Sequence, residues 1–397
     1  MKQPHRLVPA VSGVLIMLLS GLIYAWSVFK LPIAAEFSQV SEQSMAVTFT
    51  LAMAFFCVGG LIGGFWRGLS ARAELLLSAA CFLAGFLVAA AAKGMMLLYL
   101  GFGVLGGLAS GLSYHGVMRT VCRWFPDQQG FLSGVLLMGF GLGSFLIGKV
   151  FTALTPETVG AWRVSFRVMG VGLAVLIPLG AVAMVPPPQE ALPRPGKTAE
   201  GLTPRQMLRQ KAFWVFLVWA VLLTMSGLVI VGHGSGMVRE IAPQAAAGTV
   251  ATIVGLMSVS NAVGRVFSGK LLDSKGYRVS MAVVCVMFLL AAGMIALAIT
   301  TKQFWLGVAS FVAAGLAYGG VTPTNSNFAN ARFGPAHYDV NYPLVNLNLL
   351  AASYGSTLAG MLYDRSRSYL TSCGLIALCA LVGLALTALL GRTEPKK

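Results

Sequence analysis

Charge is what this sequence has least of. Asp and Glu number 12 in 397 residues, all charged residues together make up 10%, and there are four histidines. Soluble domains carry about a quarter charged residues, so most of this chain is not built to face water. No C-x-x-C, H-E-x-x-H or G-x-S-x-G spacing occurs, which excludes the usual zinc knuckle, the zinc-protease helix and the hydrolase elbow. All twelve acidic residues fall in predicted loops or at predicted helix ends, so no carboxylate is expected inside an apolar segment and no membrane-embedded enzyme is indicated. Cys57, Cys81, Cys122, Cys285, Cys373 and Cys379 sit in or beside apolar runs and read as small packing residues. Neither a metal nor another cofactor is expected.

What is abundant is apolar. Hydrophobic residues make up 57% and the mean hydropathy is +0.80. At about 20 residues per bilayer crossing, the chain has room for some twelve helices. Apolar runs place them at about 7–29, 43–66, 73–92, 95–120, 129–152 and 165–185, then at about 211–232, 248–272, 279–299, 303–328, 340–363 and 370–391. Between the two sets runs a polar, proline-rich stretch from Pro186-Pro187-Pro188 to Arg209. The predicted organisation is an all-α membrane protein with an N-terminal bundle (1–185), a linker (186–210) and a C-terminal bundle (211–397). Lys2 and Arg6 imitate the start of a signal peptide, but the run that follows reaches Phe29 and is too long for one.

The net charge of +16 does not indicate nucleic acid, because the cations are scattered through short loops rather than gathered in a stripe. They set topology instead. With both termini in the cytoplasm, 18 of the 28 Lys and Arg lie inside and nine outside: Lys30, Lys93, Lys149, Arg163, Arg167, Arg239, Lys302, Arg365 and Arg367. The expected setting is a bacterial inner membrane, crossed many times by a monomer. One cation, Arg265, belongs to neither group.

A short signature occurs twice. Gly269-Lys270-Leu271-Leu272-Asp273-Ser274-Lys275-Gly276-Tyr277-Arg278 closes the eighth run, and Gly63 to Arg72 closes the second, 206 residues earlier. Arg67 replaces the Asp and Ser70 the second Gly in the first copy. Glycine permits a tight turn, and the Asp can cap a helix or meet basic groups across a moving interface. Gly269, Asp273, Gly276, Arg278 and Arg72 are therefore candidates for a conformational role.

This repeated motif resembles the signature of the major facilitator superfamily of transporters. Further strings resemble its oxalate/formate antiporter family: Tyr24-Ala25-Trp26-Ser27-Val28-Phe29, Arg123-Trp124-Phe125-Pro126-Asp127-Gln128-Gln129-Gly130, Met138 to Ser144, Asn261-Ala262-Val263-Gly264-Arg265, and Asn341-Tyr342-Pro343-Leu344-Val345-Asn346. The resemblance implies two six-helix halves around a central cavity, transport of small carboxylates by alternating access, and an arginine at the position of Arg265 holding the anion. It also implies that aromatics on helices 1, 4 and 10 face the substrate, which favours Tyr24, Tyr114 and Tyr318. The oxalate carrier of that family has a lysine shortly after the Asn-Tyr string. Here the stretch reads Asn346-Leu347-Asn348-Leu349, which argues against a dicarboxylate held at both ends.

Arg265 stands out without the resemblance. It lies eight residues before Asp273 on a continuous apolar run, so its Cα is about 12 Å inside the helix end. An arginine at that depth is costly and marks a functional site by default, with snorkelling or structural pairing as the alternative. Ser258 and Asn261 share its helical face. A guanidinium in a wet cavity is a ready fork for a carboxylate. Tyr24, Tyr114, Tyr318, Asn346 and Asn348 lie on polar stripes that could complete a pocket, although helix-to-helix hydrogen bonds explain any one of them equally well. His115 and His233 are the two residues able to titrate within the apolar runs, so exchange or uniport of an anion fits better than proton symport. The expected cargo is a small monocarboxylate such as formate, lactate or pyruvate. The alternatives are an oxalate-type exchanger, a carrier of a non-carboxylate solute, and a solute sensor.

Overall fold

A computed structural model describes residues 6–66, 69–125, 129–156, 158–187, 201–334 and 336–392. Regular structure among them is helical throughout. Among the described residues, eleven helices are long and apolar enough to cross a membrane. They are α1 (Leu7–Glu36), α2 (Glu42–Gly64), α3 (Ala71–Ala90), α4 (Met95–Trp124), α5 (Leu132–Leu154), α6 (Trp162–Ala181), α7 (Lys211–Ile241), α8 (Ala247–Leu272), α9 (Ser274–Thr301), α10 (Phe304–Phe333) and α12 (Leu370–Gly391). Besides a short helix at Pro204–Leu208, a further helix, α11, comes in two pieces, Tyr338–Asn346 and Asn348–Ser366. Its polar, interrupted sequence keeps it below the apolarity of the others. The protein is thus an all-α, multi-pass membrane protein.

Local chemistry explains the boundaries. Ser41 accepts from Ser44 N at 3.1 Å and Ser70 from Ala73 N at 3.2 Å, capping α2 and α3 at their starts. Gly276, near the start of α9, has φ 77° and ψ 172° and kinks the chain just after α8, the kind of turn that a glycine in the repeated motif permits. α1 tightens to a 3₁₀ turn over Gly21–Ala25 and α4 loosens to a π turn over Tyr99–Gly106. Such departures re-aim side chains on otherwise regular helices.

The chain divides into two compact units, residues 1–194 with 245–255, and residues 195–244 with 256–397. Most of the stretch predicted as linker, 188–200, lies outside the described residues, as do Arg67 and Pro126-Asp127-Gln128 of the motif strings.

In the first unit the core is aromatic. Phe29, Phe86, Phe102, Phe151 and Phe166 are fully buried, with ring centroids between 4.6 and 6.4 Å apart where they touch. Each aromatic buries a large area and edge-on contacts add further. Glycines set the helix spacing: Gly107 and Gly111 of α4 meet the backbone of Ala52 and Phe56 on α2, while Gly143 of α5 meets Leu18 on α1. The pairs Lys30–Glu42 and Arg163–Glu36 tie α1 to α2 and α6.

In the second unit, Phe216 of α7 stacks on Phe328 of α10 at 3.7 Å between centroids. Gly264 of α8 and Gly315 and Gly319 of α10 bring these two helices to backbone contact at Leu316, Met257 and Asn261. That crossing fixes the backbone of Arg265 against α10.

Candidate functional site

Arg265 lies on α8 one turn after Asn261. Its Nε donates to Asn261 Oδ1 at 3.0 Å, the i, i+4 pairing that helix geometry favours. Its Nη1 is buried, and among the described residues no hydrogen-bond partner meets it. A buried guanidinium nitrogen with a spare donor is costly to leave unmatched, and its chemistry suits an anionic acceptor.

α11 supplies the neighbours. Tyr342 hydrogen-bonds to the Asn346 side chain and stands close enough to Arg265 to feel its charge. Asn346 Oδ1 in turn accepts from Asn325 Nδ2 of α10 at 3.4 Å, and Asn325 Oδ1 is buried with no partner among the described residues. The α11 break follows Asn346: Leu347 N bonds back to Leu344 O at 3.4 Å instead of continuing the α-helical ladder. Arg265, Asn261, Tyr342, Asn346 and Asn325 therefore form one polar patch on three helices of the second unit. Tyr342 was legible only as a member of a motif string.

The other predicted residues are placed as follows. Asn348 is turned toward α7, where its amide donates to Ala220 O at 3.1 Å and Thr224 Oγ1 at 2.7 Å. Tyr318 is buried against Gly227 of α7. Tyr24 and Tyr114 are half-buried in the first unit and meet around Phe140, with centroids 5.5 and 5.8 Å from it, Phe56 closing the group. No motif in the sequence marks Phe56 as a member of this group. His233 is fully buried, its Nε2 2.8 Å from Ser356 O and its Nδ1 3.4 Å from Tyr369 Oη. Arg72 donates to Val182 O at 2.6 Å, joining the start of α3 to the end of α6. Arg278 lies against Gly391 in the last turn of α12, and Gly269 faces open space. The side chain of Asp273 is outside the described residues.

His115 brings a correction. Its Nδ1 lies 3.0 Å from Glu74 Oε2, and Arg119 reaches Glu74 Oε1 at 2.5 Å. Glu74 occupies the first turn of α3, as expected of a helix-end acid, but it is 0% exposed, so one carboxylate is buried within an apolar span. Gly63 and Gly116 leave the room that admits it. The expectation failed because sequence position locates a helix end but not the helices packed over it. Among the described residues no cluster of His, Cys, Asp and Glu could hold a metal.

A family model described as Major Facilitator Superfamily matches residues 11–347. The chain belongs to that superfamily. It is 28% identical over 255 residues to the MFS-type transporter YhjX of Escherichia coli (strain K12), covering 64% of this chain and 62% of that one. It is 29% identical over 278 residues to the oxalate:formate antiporter of Oxalobacter formigenes, covering 69% and 65%. The chain thus spans a little under two thirds of the length of these relatives. Monocarboxylate transporter 11 of Homo sapiens is 28% identical over 199 residues, 48% of this chain and 41% of that one. All three relatives are named as transporters, none as an enzyme. In fold, the chain matches a bacterial homolog of the human lysosomal transporter Spinster with a TM-score of 0.76 at 13% identity, covering 99% and 98% of the two chains. It matches the nucleoside transporter NupG with a TM-score of 0.73 at 12% identity, covering 98% and 100%.

Proposed function

We propose that this protein is a secondary transporter of a small carboxylate, a monocarboxylate such as formate, lactate or pyruvate, and that Arg265 binds the carboxylate. The observation that carries the reading is the buried Arg265 Nη1, without a hydrogen-bond partner among the described residues, beside Asn261 and the Tyr342–Asn346–Asn325 patch. A guanidinium held at Nε by its own helix keeps its outer nitrogens as a fork for a planar anion. The oxalate:formate antiporter and monocarboxylate transporter among the relatives support a carboxylate cargo.

The halves 1–185 and 211–397 would rock about the bound anion in alternating access, both termini facing the cytoplasm, as the excess of Lys and Arg on that side favours. With no second cation in Asn346-Leu347-Asn348-Leu349, one carboxylate is gripped rather than two. Uptake of radiolabelled formate, lactate and pyruvate into proteoliposomes tests the assignment. Loss of uptake in Arg265→Ala is expected, and full uptake by that variant would remove Arg265 from the site.

A further inference from the structure

Between the start of α9 and the end of α12 runs an open groove of about 520 Å³, lined by Lys275, Arg278, Val279, Ala282, Val283, Leu384, Thr387 and Ala388. We propose that it binds the headgroup and upper acyl chain of an anionic glycerophospholipid.

The chemistry of the groove is divided. Lys275 and Arg278 are both exposed, on either side of the Gly276 turn, and both line the same groove. The rest of the lining is apolar apart from Thr387, whose hydroxyl is used within its own helix on Gly383 O at 2.8 Å. The apolar surface continues away from the cations by helical periodicity. On α9, Val279 and Val286 are 42% and 45% exposed, and on α12, Leu381 is 55% exposed. A phosphodiester with an attached hydrocarbon chain matches this sequence of surfaces. A soluble phosphate has no use for the apolar walls, and a neutral lipid none for the cations. Paired basic residues beside an apolar wall are what anionic headgroups select.

The first copy of the repeated motif sharpens the point. Arg72 is the counterpart of Arg278, and each meets the last helix of its own unit, Arg72 at Val182 O and Arg278 at Gly391. A cation at a helix C-terminus is favourable, so this arginine has a structural duty in both copies. The counterpart of Lys275, by contrast, is Leu69. Lys275 is the addition that turns a structural arginine into a two-cation site.

Purified full-length protein in detergent, titrated with phosphatidylglycerol or phosphatidylcholine and read by native mass spectrometry and thermal shift, tests this. One phosphatidylglycerol per chain should bind in preference to phosphatidylcholine. Lys275→Gln should weaken it roughly fivefold, and Lys275→Arg should restore it. Lys275 is the position to change because Arg278 is packed against α12. Glycerol 3-phosphate is the soluble control and should neither stabilise the protein nor displace the lipid. Equal binding of the two lipids, unchanged affinity in Lys275→Gln, or displacement by glycerol 3-phosphate would each overturn the proposal.

Discussion

Glu74 in the first unit is a buried charged side chain and Arg265 in the second a half-buried one with a buried nitrogen, both on membrane helices, and their surroundings are finished differently. Both oxygens of Glu74 are engaged, one by Arg119 and one by His115, and the group joins α3 to α4. Arg265 is engaged at Nε by a residue of its own helix, while Nη1 is buried with no partner among the described residues. The first arrangement is complete without a ligand. The second is a guanidinium held in place with a donor to spare. Burial alone does not distinguish the two groups, whereas the count of satisfied atoms does.

Substitutions can break or sharpen that contrast. The largest effect is expected for Glu74→Ala, which strands Arg119 and unties α3 from α4. Since Arg119 retains 24% of its side-chain exposure, a loss of about 2–3 kcal/mol is expected rather than the full cost of a deeply buried pair, seen as a lower unfolding midpoint in detergent. Gly319→Val comes next. Its side chain would meet the α8 backbone at Asn261 and Arg265, costing about 1–3 kcal/mol and weakening carboxylate binding together with stability. Asn348→Ala removes the tie to Ala220 and Thr224 and should cost about 1 kcal/mol while leaving carboxylate affinity within twofold. The smallest stability effect should come from Arg265→Gln. Removing a guanidinium with an unmatched donor should leave the midpoint unchanged or raise it, since little is lost and a desolvation cost is relieved. A destabilisation by Arg265→Gln as large as that by Glu74→Ala would erase the distinction between the two sites.

The architecture was legible in the sequence because membrane helices need long apolar runs whatever they pack against. Turn chemistry was legible for a similar reason: Gly276 adopts the positive φ that its place in the motif required. Arg265 could be singled out because an arginine far inside an apolar run is conspicuous in one dimension. Its neighbours were harder to read. Tyr342 and Asn325 reach the patch through the α8–α10 crossing and the break in α11, which depend on packing between distant segments. Glu74 was misjudged for the same reason, as Gly63 and Gly116, which make room for it, are 11 residues before it and 42 after. Asn346 and Asn348 are two positions apart and read alike, yet the interruption between them sends one toward Asn325 and the other into α7.

The central claim is that the free edge of Arg265 holds a carboxylate. It is tested most directly by thermal shift of the purified protein against C1 to C4 carboxylates, with Arg265→Gln measured in parallel. A ligand at 100 times its Kd stabilises by about 2.7 kcal/mol. The account predicts a concentration-dependent rise in midpoint with at least one monocarboxylate in the native protein and none in Arg265→Gln. Equal stabilisation of both proteins would contradict it.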